Sequence, residues 1–204
     1  MFYKTDEPHG LPHDPFKSCV VPRPIAWVTT RHPDGAVNLA PYSFFNALAS
    51  EPPMVMIAFN GYHADGGEKD SLHNIKASGD FVVNMVPLAL QQAMNVTSGP
   101  HAHDVDELEL AGLTAIESRL VKPPRVAEAP VHLECELFQE VELPCNDPDS
   151  ANRMIIGKVV GIHIDDAVLV DGMIDIDRIK PLARLGYQDY TAVERVFTMT
   201  RPGN

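Results

Sequence analysis

Basic residues are few: 16 Lys and Arg face 28 Asp and Glu, for a formal net charge of −12. An acidic surface of that kind repels phosphate backbones and anionic lipid, so nucleic acid and membrane surfaces are excluded as general partners. Cysteine is scarcer still. Cys19, Cys135 and Cys145 are odd in number and show no CxxC or zinc-ribbon spacing, which removes a disulfide framework and a structural metal site and suits a reducing cytoplasm. No stretch approaches eighteen consecutive apolar residues, and the first fifteen, MFYKTDEPHGLPHDP, carry charge and proline where an export signal needs an apolar run. The expectation is a soluble, cytoplasmic protein. Also missing are GxGxxG, the glycine-rich phosphate loop, GxSxG and HExxH, so no common catalytic module is present and a nicotinamide has no dedicated cradle.

What is present reads as a single domain over residues 1–204, long enough to bury a core unaided. PRPIAW at 22–27 opens a strand that runs from Ile25 to Thr30, and HPDG at 32–35 turns it into the extended AVNLAPYSFF. A further strand is expected over Met54–Phe59. KDSLHNIKAS at 69–78 places Leu72, Ile75 and Lys76 at helical spacing, with Asp70 or Ser71 as N-cap and Gly79 just past the end. A short strand, Phe81–Val86, and two helices, Pro87–Val96 and Val105–Ala111, follow. From Val131 the chain turns β again: HLECELFQEVEL alternates, RMIIGKVVGIHI is β-branched, and AVLVDGMIDI carries Asp-Gly between apolar runs. Six or seven strands with two or three inserted helices, and no βαβ rhythm, predict a mainly β antiparallel barrel.

Candidate chemistry gathers in the first eighty residues, which hold 6 Lys and Arg against 9 Asp and Glu, while the rest hold 10 against 19. Hydroxyls and amides lie where strands end or turn: Thr29, Thr30, Ser43, Asn46 and Ser50, then Lys69, Asp70 and Ser71. Such a lining suits a flat polar-edged ring with a phosphate, because amides at a helix N-terminus and a nearby lysine attract an anion. By itself the 69–71 segment reads first as plain capping beside a solvated lysine. HAH at 101–103 reads as a solvated loop instead of a metal site, and the isolated histidines 63, 73, 132 and 163 as structural. Phe45 is a candidate to stack on a ring, although strand aromatics are usually core. Arg23, fixed between two prolines, aims its guanidinium either at an anion or into a surface ion pair.

Taken together, PRPIAWVTT at 22–30, NLAPYSFFNALASEPPMVM at 38–56, KDSLHNI at 69–75 and GDFVVN at 79–84 resemble the flavin reductase-like, FMN-binding split-barrel family. The likeness continues through AGLT at 111–114, PPRV at 123–126, IGKVVGIHIDDAVL at 156–169 and RLGYQDY at 184–190. It implies an antiparallel FMN-binding split β-barrel with inserted short helices, a homodimer with FMN near the subunit interface, and reduction of flavin by NADH or NADPH, often for an oxygenase partner. It further implies that Thr29, Thr30, Ser43, Phe45, Asn46 and Ser50 line the flavin and that Lys69, Asp70 and Ser71 lie at its phosphate end. GYHADGGE at 61–68 departs from the family by being longer and richer in glycine.

Hydride transfer needs two flat rings in close register and no protein acid or base, in keeping with a binding constellation that has no catalytic dyad. An electron-transfer flavoprotein of the flavoredoxin type, or a flavin-dependent oxidase or oxygenase of a small molecule, are the rival readings. Apolar surface for twofold association is expected in Val131–Phe138 and Met154–Ile164.

Overall fold

The computed structural model describes residues 1–63 and 66–203; Ala64 and Asp65, within the long 61–68 segment, lie outside the described residues. In chain order the elements are α1 (Phe16–Cys19), β1 (Arg23–Pro24), β2 (Ala26–Arg31), β3 (Val37–Tyr42), β4 (Phe45–Ser50), β5 (Pro53–Asn60), α2 (Asp70–Ser78) and β6 (Asp80–Met85). Then come α3 (Gln91–Val96), α4 (Glu107–Leu110), β7 (Ala115–Ile116), β8 (Arg125–Val126), β9 (Val131–Leu143) and β10 (Asn152–Ile164). The chain finishes with β11 (Leu169–Val170), β12 (Met173–Ile174), α5 (Ile176–Ile179), β13 (Leu182–Arg184) and β14 (Tyr190–Ala192).

The main sheet has seven antiparallel strands in the order β3-β2-β6-β9-β10-β5-β4. Its two edge strands, β3 and β4, are neighbours in sequence and are joined only by Ser43 and Phe44. A two-residue link cannot span an open seven-stranded sheet, so the sheet must curl until its edges approach. Ala58 N donates to Phe44 O at 2.8 Å and the Tyr42 and Phe59 rings meet edge to face at 4.6 Å, closing that corner. β3 and β4 do not pair with each other, so the fold is a split β-barrel.

β2 is buried on both faces, and alternation divides its side chains between two cores. Ala26 and Val28 point into the barrel with Ile57, Phe59, Phe81 and Ile155; Ile25 and Trp27 join Leu39, Met94, Leu108 and Leu182 outside it. Trp27 Nε1 donates to Thr97 Oγ1 at 2.8 Å, giving the one buried indole its partner. The long hairpin β9–β10 carries register shifts at Ile156/Gly157 and Val159/Gly161, which coil it. A Cβ at Gly157 would collide with the Phe81 ring, so glycine is what lets β10 cross the barrel core.

Most expected elements appear with shifted ends: Ala26–Arg31, Pro53–Asn60 and Asp80–Met85 for the three early strands. The expected helix over Pro87–Val96 is a 3-10 turn at Leu88–Leu90 followed by α3, because Pro87 is extended and delays the α-helix. The Asp171-Gly172 hairpin forms with both residues at positive φ, 51° and 77°, as a tight two-residue turn requires. The N-cap of α2 is different from expectation. Lys69 occupies that position, and among the described residues no side chain caps the helix.

Candidate functional site

The β3–β4 corner, the start of α2 and the loop before α4 enclose a cavity of about 360 Å³, within the range of small-ligand sites. Asn38, Ser43, Phe44, Lys69, Asp70 and Glu107 supply much of its wall, and residues 97–101 close one side. α2 is anchored by Leu72 and Ile75 in the barrel core and stops at Gly79, whose N–H bonds Ile75 O with φ at +79°. Among the described residues its first-turn amides have no side-chain acceptor, and the positive end of the helix is therefore available to an anion beside Lys69. Lys69 Nζ donates to Tyr62 O at 3.2 Å.

The side chains expected to cap α2 are used elsewhere. Ser71 is buried and its Oγ donates to Asn38 Oδ1 at 2.8 Å; Asp70 Oδ1 hydrogen-bonds His103 Nδ1. Asn38 is the hub of a polar chain. Its Nδ2 donates to Glu107 Oε1 at 3.0 Å, its Oδ1 also accepts from Thr30 Oγ1 at 3.4 Å, and Thr30 in turn accepts from Asn74 Nδ2 at 3.0 Å. Glu107 takes a second bond from Leu39 N at 3.0 Å. Burial raises the Glu107 pKa, while the Leu39 amide and the Asn38 side chain work against that rise. Burial likewise pushes the Tyr42 phenol well above its usual range, opposed by the Ser71 hydroxyl.

Of the nine residues singled out in the sequence, Ser43, Lys69 and Asp70 line this cavity. Thr30 and Ser71 are fully buried and reach it through Asn38. Thr29 is turned inward: its Oγ1 donates to Pro124 O at 2.6 Å and accepts from Asn84 Nδ2 at 3.2 Å. Phe45 packs on the barrel core, whereas Asn46 and Ser50 are exposed along β4, where Asn46 Oδ1 accepts from Ala47 N. Asn38 and Glu107 escaped notice in the sequence. Asn38 opens NLAPYS and could have been weighed with the other amides, but Glu107 follows an Asp106 cap like any acid in a first helical turn.

HAH at 101–103 is not a solvated loop without partners. His63, Asp70 and His103 each place one ligand atom within 4.8 Å of the others, and the His63 and His103 rings are 4.7 Å apart. His63 Nε2 bonds His101 O at 3.0 Å, and the His101 ring bonds Val96 O at 2.8 Å. Two imidazoles and a carboxylate are a donor set that could hold a divalent cation.

Among the described residues Arg23 makes no surface ion pair. It is 7% exposed and donates to the carbonyls of Lys17, Val20 and Leu185, tying α1 to the segment after β13.

The family model described as "Flavin reductase like domain" matches residues 18–182. An uncharacterized protein from Halalkalibacterium halodurans is 38% identical over 183 residues, covering 90% of this chain and 87% of the relative. Among solved structures, nitrilotriacetate monooxygenase component B from Bacillus cereus superposes with a TM-score of 0.88 at 30% identity, covering 98% of each chain. Pseudomonas fluorescens 2-nitrobenzoate 2-nitroreductase NbaA gives 0.79 at 29% identity, covering 92% of this chain and 89% of that one. A barrel whose edges meet at Ser43–Phe44, with a cavity at that corner and an uncapped helix start beside a lysine, is thus joined to a match over most of its length: the chain belongs to the flavin reductase-like family.

Proposed function

We propose that the protein is an FMN-binding flavin reductase that takes hydride from NADH or NADPH. The observation that carries this reading is the 360 Å³ cavity at the uncapped start of α2, with Lys69 on its wall. These residues suit FMN: the α2 amides and Lys69 hold its phosphate, and Ser43, with Asn38 locked in orientation by Ser71 and Glu107, offers polar contacts to the remainder. Asp70 Oδ1 is engaged by His103 Nδ1, which fixes that carboxylate on the cavity wall. Bound FMN supplies the hydride-accepting ring and with it the redox chemistry. The chain's own part is to hold, orient and shield, and no residue is assigned as acid or base.

Thr29 keeps only a supporting place, packed beneath the strand. Phe45, Asn46 and Ser50 lie on β4, away from this cavity, and we assign them to a surface completed by a second copy. β4 is exposed over Asn46–Ser50 and is an unpaired sheet edge with Leu48 52% exposed, a surface that association would cover. The similarity to component B of a monooxygenase favours a role in passing reduced flavin to an oxygenase partner. Exposed Cys19 and Cys145 suit a reducing cytoplasm, and among the described residues no helix is long and apolar enough to cross a membrane.

The test is the absorption spectrum of the purified protein with and without FMN, followed by anaerobic NADH or NADPH. Flavin bands that shift on binding and bleach on addition of nicotinamide are expected. Bands that shift but do not bleach would favour a flavoredoxin-type carrier, and no shift with FMN would refute the cofactor assignment.

A further inference from the structure

A second cavity of about 570 Å³ lies against the same Ser43–Phe44 corner, reached from α1 and the segment after β13. Its character is opposite to that of the chain. In a protein of net charge −12, its wall carries Lys17, Arg23 and Arg184, against the single carboxylate of Asp14, which accepts from Phe16 N at 2.9 Å. Among the described residues, none of the three cations makes an ion pair. The partners of Arg23 are backbone carbonyls, at 2.7 Å for Val20 and Leu185, and its buried Nε has no hydrogen-bond partner. Arg184 donates to the Tyr190 hydroxyl and the Tyr187 carbonyl, with its guanidinium 4.4 Å from the Tyr190 ring centroid. Carbonyls and hydroxyls satisfy N–H groups without cancelling charge, so two neighbouring guanidiniums remain uncompensated in a partly dry site. Burial lowers the Arg23 pKa, and the charge of Arg184 lowers it further.

We propose that this cavity binds the oxyanion group, phosphate or carboxylate, of a small ligand whose other end reaches the neighbouring FMN cavity across Ser43 and Phe44. An oxyanion supplies the negative charge that Lys17, Arg23 and Arg184 lack on the cavity wall. The walls are held close. A Cβ at Gly186 would collide with Ser18 Oγ and lie 3.0 Å from Ser18 Cα, so α1 and the turn after Arg184 meet backbone to backbone and keep the cations together. Two molecules carry the required group: the pyrophosphate of the nicotinamide donor, or the carboxylate of an organic acceptor. Which end reacts rests on the flavin-reductase reading; the anion site itself does not.

The experiment titrates inorganic pyrophosphate and benzoate into the FMN-loaded protein by calorimetry and repeats NADH kinetics in the presence of each. Saturable binding of pyrophosphate, competitive with NADH, supports the donor as the source. Binding of benzoate that leaves the NADH KM unchanged supports an anionic acceptor. Lys17→Met and Arg184→Met are each expected to weaken the bound anion at least tenfold with FMN affinity unchanged. The exposed Lys17 gives a readout even where the Arg184 variant fails to fold. Absence of binding by both anions, or equal affinity in the Lys17 variant and the parent, overturns the proposal. Failure of the flavin-reductase reading is seen separately, as no FMN spectrum in the parent protein.

Discussion

Single side chains decide where charge is tolerated in this molecule. Among the described residues Lys69 is the one lysine or arginine on the wall of the 360 Å³ cavity, beside the uncapped α2 amides, so Lys69→Ala is expected to weaken FMN binding by about 1–3 kcal/mol, the scale of a charge-assisted hydrogen bond. Calorimetry checks it, and unchanged affinity in a folded variant would mean that the helix amides suffice. Ser71→Ala acts differently. It removes one of the bonds that hold Asn38, so loss of affinity there would come with loosened packing. Glu134 is fully buried on β9, where burial would raise its pKa. The amides of Arg119 and Leu120, at 2.8 and 2.6 Å, and His163 Nε2 at 2.5 Å outweigh that and hold it below the usual glutamate range. A depressed folded pKa contributes stability above the unfolded value and loses it as pH falls through the folded one. Urea unfolding across the acid range should therefore show a slope that Glu134→Gln flattens. Glu107 has the opposite sign: its raised pKa means that its contribution is full when protonated and is lost as pH rises through the raised value.

At the scale of elements, two glycines fix how strands and helices meet, and they fail in different ways. Gly79 ends α2 in the left-handed region with open space where a Cβ would go, so Gly79→Ala costs backbone strain of about 1 kcal/mol. Gly157 has an ordinary φ, but its missing side chain is where the Phe81 ring lies. Gly157→Ala forces the ring or β10 aside and is expected to cost about 1–3 kcal/mol, the range for overpacking a core. Denaturant midpoints of the two variants rank them. A Gly157 variant as stable as the parent would show that β10 shifts freely at its bulge, contrary to a core packed against Phe81.

For the whole molecule, the expected state is a homodimer. Exposed apolar side chains include Leu48 at 52% on β4, Phe138 at 64% on β9 and Ile162 at 56% on β10, and β4 offers unpaired backbone groups along one side. Twofold association covers such surface symmetrically and would bring Asn46 and Ser50 toward a partner's site. A cofactor that prefers the dimer stabilises it by mass action, so sedimentation at low concentration should show more dimer with FMN than without. A monomer that binds FMN with undiminished affinity would rule out a shared site.

By itself, the sequence determined the elements and the family. Alternation in HLECELFQEVEL, Asp-Gly between apolar runs and Gly79 after a helical stretch are local signals, because turn chemistry and side-chain period act over a few residues. The order of PRPIAWVTT, NLAPYS and KDSLHNI carried the resemblance to the family, and FMN is what that resemblance implies. Tertiary structure alone decided which of those residues face a cavity. Thr29 and Thr30 sit on β2, whose two faces are both covered, so their hydroxyls bond Pro124 and Asn38, although the family resemblance implied that both line a flavin. Glu107, Asn38 and Ser71 come from three elements, and only the curling of a seven-stranded sheet with a two-residue link at Ser43–Phe44 brings them to one corner. Arg23 and Arg184, 161 residues apart and without an ion pair among the described residues, are likewise brought together by β1 pairing with β13, which no local pattern in either segment encodes.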